Sequence, residues 1–135
     1  MWNILQPEGW APPKGYANGI EAKGRQIYVA GMIGWNSQGV FETDDFVEQC
    51  EQALLNIVQT LECAKAGPEH VVRLTWYVKD KKEYLARARE VGKAYQKLMG
   101  RNFPVMALVQ VADLVEDRAK VEIEATAVVP EPFGK

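Results

Sequence analysis

Residues 120–129, KVEIEATAVV, set Val121, Ile123, Ala125 and Ala127 at every second position and Glu122, Glu124 and Thr126 between them. Side chains of a strand leave alternately from its two faces, so this run predicts a β-strand with one face on a core. Both carboxylates then leave from the opposite face. Any fold that accepts the strand needs a layer over the apolar row and a reason to gather two acids on the reverse side.

The covering layer is legible upstream. Phe46, Cys50, Ala53, Leu54, Ile57, Val58, Leu61 and Ala64 recur at three- and four-residue spacing, which predicts an amphipathic helix over 44–65. Thr43, Asp44 and Asp45 are its candidate N-caps, and Gly67 with Pro68 its terminator. A second stripe, Tyr84, Leu85, Ala88, Val91, Tyr95, Leu98 and Met99, predicts a helix over 81–99 closed by Gly100. Between them VVRLTWYVKD reads as a strand, rich in β-branched and aromatic residues. Residues 105–111 read as another, opened by Pro104. Gly15 to Trp35 read as two strands about a tight turn at Lys23-Gly24. Residues 1–14, rich in Pro, Gly and Trp, are expected to be irregular.

The predicted order is β-β-α-β-α-β-β in a single domain spanning 1–135. This is an α+β fold with both helices packed on one face of a sheet. The strand over 105–111 is apolar on both sides, Met106 and Leu108 against Val105, Ala107, Val109 and Val111. That implies cover on the second face too, and a chain of this size has no third layer, so an oligomer is expected.

With 47% hydrophobic residues the chain can build a core. A formal net charge of −2 argues against nucleic acid as the main partner, and the basic residues form no dense cluster. The start, MWNILQPEGW, has no signal-peptide pattern, and no apolar run reaches membrane-spanning length. Cys50 and Cys63 fall about 20 Å apart on the predicted helix, too far for a disulfide. A reducing cytoplasm is the expected compartment. His70 is the only histidine and there is no Cys-x-x-Cys pair, so no metal site is expected. Cys50 lies on the buried stripe and reads as inert, Cys63 lacks an activating partner, and His70 reads as a surface residue.

IYVAGMIGW, QALLNIVQTLECAKAG, VVRLTWYVKD and VEIEATAV, in this order and spacing, resemble the RidA family, also called YjgF/YER057c/UK114. The likeness runs from about Gly15 to Val129. It implies a chorismate-mutase-like α+β domain, assembled as a homotrimer with ligand pockets in clefts between subunits. Archetypal members hydrolyse enamines and imines derived from amino acids, releasing ammonia and a 2-keto acid without metal or organic cofactor. Other members are 2-aminomuconate deaminases, or have been described as ribonucleases or translation inhibitors.

Carried onto this chain, the resemblance makes Glu122 the residue that positions the attacking water. Tyr16 and the backbone at Gly31 become substrate contacts, and Trp35 a candidate wall of the cleft. The family's substrate-carboxylate arginine falls on Met106, and the small polar or Cys position two further on falls on Leu108. Removing a bidentate Arg–carboxylate pair from the interior of a cleft costs about 2–5 kcal/mol of binding. The ligand implied is therefore not of the small 2-aminoacrylate type. A deaminase of another imine or enamine and a non-catalytic small-molecule binder both remain open, and a ribonuclease fits the charge poorly. Each residue also has a structural reading. Glu122 and Glu124 suit interface ion pairs, the latter with Lys120 or a basic residue on a neighbour. Met106 and Leu108 suit either an apolar pocket floor or trimer packing, and Tyr16 suits strand-edge cover. Arg73 and Arg101 are candidate replacement cations, or ordinary surface charges.

Overall fold

The strand with the divided faces lies inside the sheet, between two others. The computed structural model describes residues 2–131. Along the chain run β1 (Asn3–Leu5), β2 (Gly19–Glu21), β3 (Arg25–Ile33), α1 (Phe46–Glu62), a 3₁₀ turn (Pro68–His70), β4 (Val71–Val78), α2 (Lys81–Ala86), α3 (Ala88–Met99), β5 (Val105–Gln110) and β6 (Val121–Val129). The main sheet has the order β3-β6-β4-β5. β6 is antiparallel to both β3 and β4, while β4 and β5 are parallel, joined by the helical crossover that a parallel pair requires.

Val121, Ile123, Ala125 and Ala127 are buried, together with Leu74, Trp76 and Val78 of β4 and Val29 of β3. Over them lie Phe46, Cys50, Ala53, Leu54, Ile57 and Leu61 of α1 and Val91, Tyr95 and Met99 of α3. Each large apolar side chain so buried contributes roughly 1.5–3 kcal/mol. Gln49 is buried among them and fully bonded. Its amide donates to the carbonyls of Thr43 and Arg118 and accepts from the Lys120 N–H. Gly34 lets α1 approach: a Cβ there would stand 2.6 Å from that of Gln49.

Four local expectations give way to tertiary effects. Asn3–Leu5 is not irregular but pairs antiparallel with Gly19–Glu21, with Ile4 opposite Ile20. β2 therefore does not pair with β3 across Lys23-Gly24. Gly24 instead passes the end of β6 so closely that a Cβ would lie 2.0 Å from the Val129 carbonyl oxygen. The helix over 81–99 is two helices, broken at Arg87 (φ −116°, ψ 17°). There the Arg87 guanidinium reaches Asp45 at 2.7 Å and Glu90 at 2.8 Å, tying the break to the start of α1. Asp45 is the N-cap of α1, accepting from the Glu48 N–H at 3.0 Å. The chain leaves α1 through Lys65 in the left-handed region (φ 56°), with Ala66 N–H donating to the Leu61 carbonyl. Gly67 is extended and caps the 3₁₀ turn instead.

Among the described residues no helix packs on the other sheet face. Cross-strand register sets Arg73, Thr75 and Tyr77 of β4 beside Thr126, Glu124 and Glu122 of β6, and Val105, Ala107 and Val109 of β5 beside the same β4 residues. Tyr28, opposite Thr126 on β3, is 71% exposed and Val109 is 45% exposed. Among the described residues no helix is long and apolar enough to cross a membrane.

Candidate functional site

Glu122 sits on this open face, half-buried, with no hydrogen bond or ion pair from its side chain among the described residues. β3 shifts register between Val29 and Met32, which brings Gly31 against it. A Cβ on Gly31 would stand 2.1 Å from Glu122 Oε2, so the carboxylate lies directly over the Gly31 backbone. Glu124, one step along β6, accepts a hydrogen bond from the Tyr77 hydroxyl at 2.8 Å. That bond, with burial and the charges of Glu124 and Glu122, holds the Tyr77 phenol above its usual range. Of the two partners expected for Glu124, Lys120 turns elsewhere within the chain, its ammonium lying 3.9 Å from Glu83. The face thus offers one bonded carboxylate and one carboxylate free of side-chain partners. Tyr77 belongs to this group through its register opposite Glu122, which only the strand pairing reveals.

Met106 and Leu108 leave β5 on the other side. They pair with Leu74 and Trp76, whose side chains face the helices, and pack against the core. With Tyr16, Trp76, Tyr84, Tyr95 and Phe103 they line a groove of 640 Å³ between β5 and α3. Tyr16 arrives there because the Ala17 N–H donates to the Pro104 carbonyl and bridges to Val105, laying the early segment along the β5 edge. Tyr16 and Met106 also border a smaller hollow of 390 Å³, which extends to Arg73, Thr75 and Ala107. An apolar floor with a few polar groups at its margin is the usual build of a small-molecule site.

Within one chain, then, the candidate residues fall into two groups on opposite sides of the sheet. Tyr16, Met106 and Leu108 belong to the groove, and Glu122 and Gly31 to the open face. Trp35 joins neither; its ring packs 5.9 Å from Phe41, over which Arg118 lies at 5.4 Å, and its carbonyl accepts from Asn56. Arg101 is exposed just beyond α3, and Arg73 lines the smaller hollow. The cations on the main groove are Lys14, Arg89 and Lys93. Sequence reasoning passed them over because basic residues on the solvent side of a helix look alike until a groove forms beside them.

The thiols and imidazole lie elsewhere. Burial pushes the Cys50 thiol up to about 12, which keeps it un-ionised, while Cys63 is exposed. His70 is half-buried rather than a free surface residue, and its Nδ1 accepts from the Gly67 N–H at 3.0 Å. Among the described residues no cluster of His, Cys, Asp and Glu could hold a metal ion.

Comparison with known proteins agrees with this architecture. The family model described as Endoribonuclease L-PSP matches residues 8–129. The RutC family protein UK114 of Drosophila melanogaster is 30% identical over 92% of this chain and 87% of its own length. A RutC family protein of Pyrococcus horikoshii is 32% identical over 94% of this chain and 98% of its own. Among solved structures, the Rid-family protein YyfB of Yersinia pestis superposes with a TM-score of 0.80 at 29% identity, covering 95% of this chain and 98% of that one. The YjgF product of E. coli gives a TM-score of 0.66 at 31% identity, covering 84% and 87%. With the family model matched over nearly its whole length and the strand and helix arrangement shared, the chain belongs to the YjgF/YER057c/UK114 (Rid) family and has its chorismate-mutase-like α+β fold.

Proposed function

We propose that this chain is a hydrolytic deaminase of an imine or enamine, acting as a cytoplasmic homotrimer whose sites are each shared by two copies. The observation that carries this reading is Glu122, a half-buried carboxylate held over Gly31 with no side-chain partner among the described residues. A partly desolvated acid left without a partner in its own chain is suited to meeting one from outside. The uncovered sheet face, with Tyr28, Ala107 and Val109 exposed, supports a neighbour seated there. Such a neighbour would bring its groove toward Glu122 and unite the two residue groups. Both cysteines are free, as a reducing compartment leaves them.

The chemistry asks little of the protein. Water adds to the carbon of the C=N bond as Glu122 takes its proton. Glu122 returns that proton to the nitrogen, the added hydroxyl gives up its own proton to the carboxylate or solvent as the C–N bond breaks, and ammonia leaves behind a carbonyl. An enamine first gains a proton on carbon to become the iminium. Each step is a proton transfer or an addition, within reach of one positioned carboxylate. The Tyr16 hydroxyl and the Gly31 backbone fix the substrate. Met106, in place of a cation, makes the small 2-aminoacrylate type a poor substrate.

The test is ammonia release from imines generated in situ by an amino-acid oxidase. Glu122→Gln lowers the rate by about 10²–10⁴, the usual worth of a general base. A rate unchanged by that substitution removes Glu122 from the reaction. A second reading, a ligand-binding protein without chemistry, is favoured by the apolar floor at Met106 and Leu108. Ligand binding with no turnover of any imine would establish it. RNA cleavage has least support, since the net charge is −2 and the Nδ1 of His70 already accepts from the backbone.

A further inference from the structure

One phenol stands between the two carboxylates of the open face. Tyr77 of β4 is directly opposite Glu122 of β6, and Thr75 is opposite Glu124. The Tyr77 hydroxyl nevertheless passes over its direct neighbour and donates to Glu124 Oε1 at 2.8 Å, across the diagonal. Aromatic and long side chains of an antiparallel pair reach the direct and the diagonal partner alike, so both acids lie within range of this hydroxyl. A phenol has a single O–H to donate. With that donor on Glu124, Glu122 accepts from no side chain among the described residues.

The surroundings leave the choice to these three groups. Beside Tyr77, β5 brings only the apolar Val109. Arg73 lies beside Thr126, one step beyond Glu124 on the same face. Lys79, past the end of β4, is paired with Asp113 at 3.2 Å, and Lys120, before the start of β6, lies 3.9 Å from Glu83. No ion pair reaches Glu122 or Glu124 among the described residues.

We infer that Glu124 is a positioning residue that keeps Glu122 open to water: it engages the Tyr77 hydroxyl, which without it turns to Glu122 and occupies the general base. A carboxylate that accepts from a phenol is a weaker base and offers one lone pair fewer to water. Two acids at period two on one strand thus have separate tasks, one in the reaction and one in holding a donor away from it. This deepens the proposed function and rests on it for the effect on rate. The exchange of hydrogen-bond partners needs no reaction.

Two readouts on the intact protein keep the parts distinguishable. In ammonia release from an oxidase-generated imine, Glu124→Ala is expected to lower the rate about tenfold, the worth of one hydrogen bond to a charged group. Adding Tyr77→Phe removes the displaced hydroxyl and returns most of that rate. A merely structural loss at Glu124 would not recover when Tyr77 loses its bond as well. The second readout needs no substrate. The Tyr77 phenol titrates above its usual range, first through its bond to Glu124, with burial and the charges of Glu124 and Glu122 adding to it. Its alkaline titration is the phenolate absorbance that disappears on Tyr77→Phe in each background. In Glu124→Ala the upward shift persists, because Glu122 takes over the bond, and in Glu124→Ala with Glu122→Ala it is lost. Thermal unfolding verifies that each variant folds. A phenol that titrates as low in Glu124→Ala as in that double variant, or a rate that Tyr77→Phe does not recover, overturns the inference. Transfer of the bond to Glu122 as described, in a protein whose ammonia release is absent or indifferent to Glu122→Gln, overturns the reaction alone.

Discussion

Glu122 and Gly31 are fitted to each other across β6 and β3. A Cβ on Gly31 would meet Glu122 Oε2 at 2.1 Å, Cδ at 2.8 Å and Cγ at 2.9 Å. Gly31 is not in the left-handed region, so it is proximity and not backbone conformation that requires glycine here. The register shift on β3 creates the proximity, and the carboxylate gains a backbone surface to rest on.

Gly31→Ala therefore forces the Glu122 side chain away, at a cost under about 1 kcal/mol, because a flexible half-buried side chain can swing clear. Glu122→Ala in the same chain removes the clash. The double variant should be more stable in urea than Gly31→Ala alone. Independent, additive effects of the two changes would show that they do not touch.

Asp45 joins α1 to the α2–α3 break. Its hydrogen bond from Arg87, with that from the Glu48 N–H, holds its carboxyl below the usual carboxylate range. A depressed folded value stabilises above the unfolded value of about 4, and the contribution is lost as pH falls through the folded value. Asp45→Asn retains a cap and loses the ion pair. The wild type should exceed this variant in stability at pH 7, with the gap closing below about pH 4. The pair is partly exposed, so the gap is under about 1 kcal/mol. Asp45→Ala, which loses the cap as well, costs about 1 kcal/mol more. Denaturant unfolding across pH measures all three.

Lys65 holds a left-handed conformation at the exit from α1. A side chain there carries a penalty of roughly 1–2 kcal/mol that glycine escapes. Lys65→Gly should raise the unfolding midpoint, despite the greater freedom of glycine in the unfolded chain. An unchanged or lower midpoint would show that the Lys65 side chain contributes more than its backbone costs.

The parts of the fold that are local in origin were readable from the residues. The α1 stripe and the alternation of β6 each declare their buried face within a single element. What depended on pairing was not. Ile4 opposite Ile20 joins segments whose own patterns give no hint of each other. The break at Arg87 follows from a bond to Asp45, 42 residues away in sequence. At the site, period two told that Met106 and Leu108 share a side of β5, but not which side. Both sides of that strand are apolar, so only its register with Leu74 and Trp76 decides. Tyr77 and the α3 cations escaped notice for the same reason, their significance lying in what the fold sets beside them.

The central claim, that a site needs Glu122 from one copy and the groove from another, is tested most directly by subunit mixing. Gly92 lines the groove with open space where its Cβ would be, so Gly92→Leu fills it. Glu122→Gln and Gly92→Leu chains, each expected to be inactive alone, are unfolded together in equal amounts and refolded. Random assembly gives about a quarter of all clefts an intact carboxylate and an intact groove, so about a quarter of wild-type ammonia release should return. A mixture as inactive as its components, although exchange of subunits is demonstrated by mass, would contradict the account.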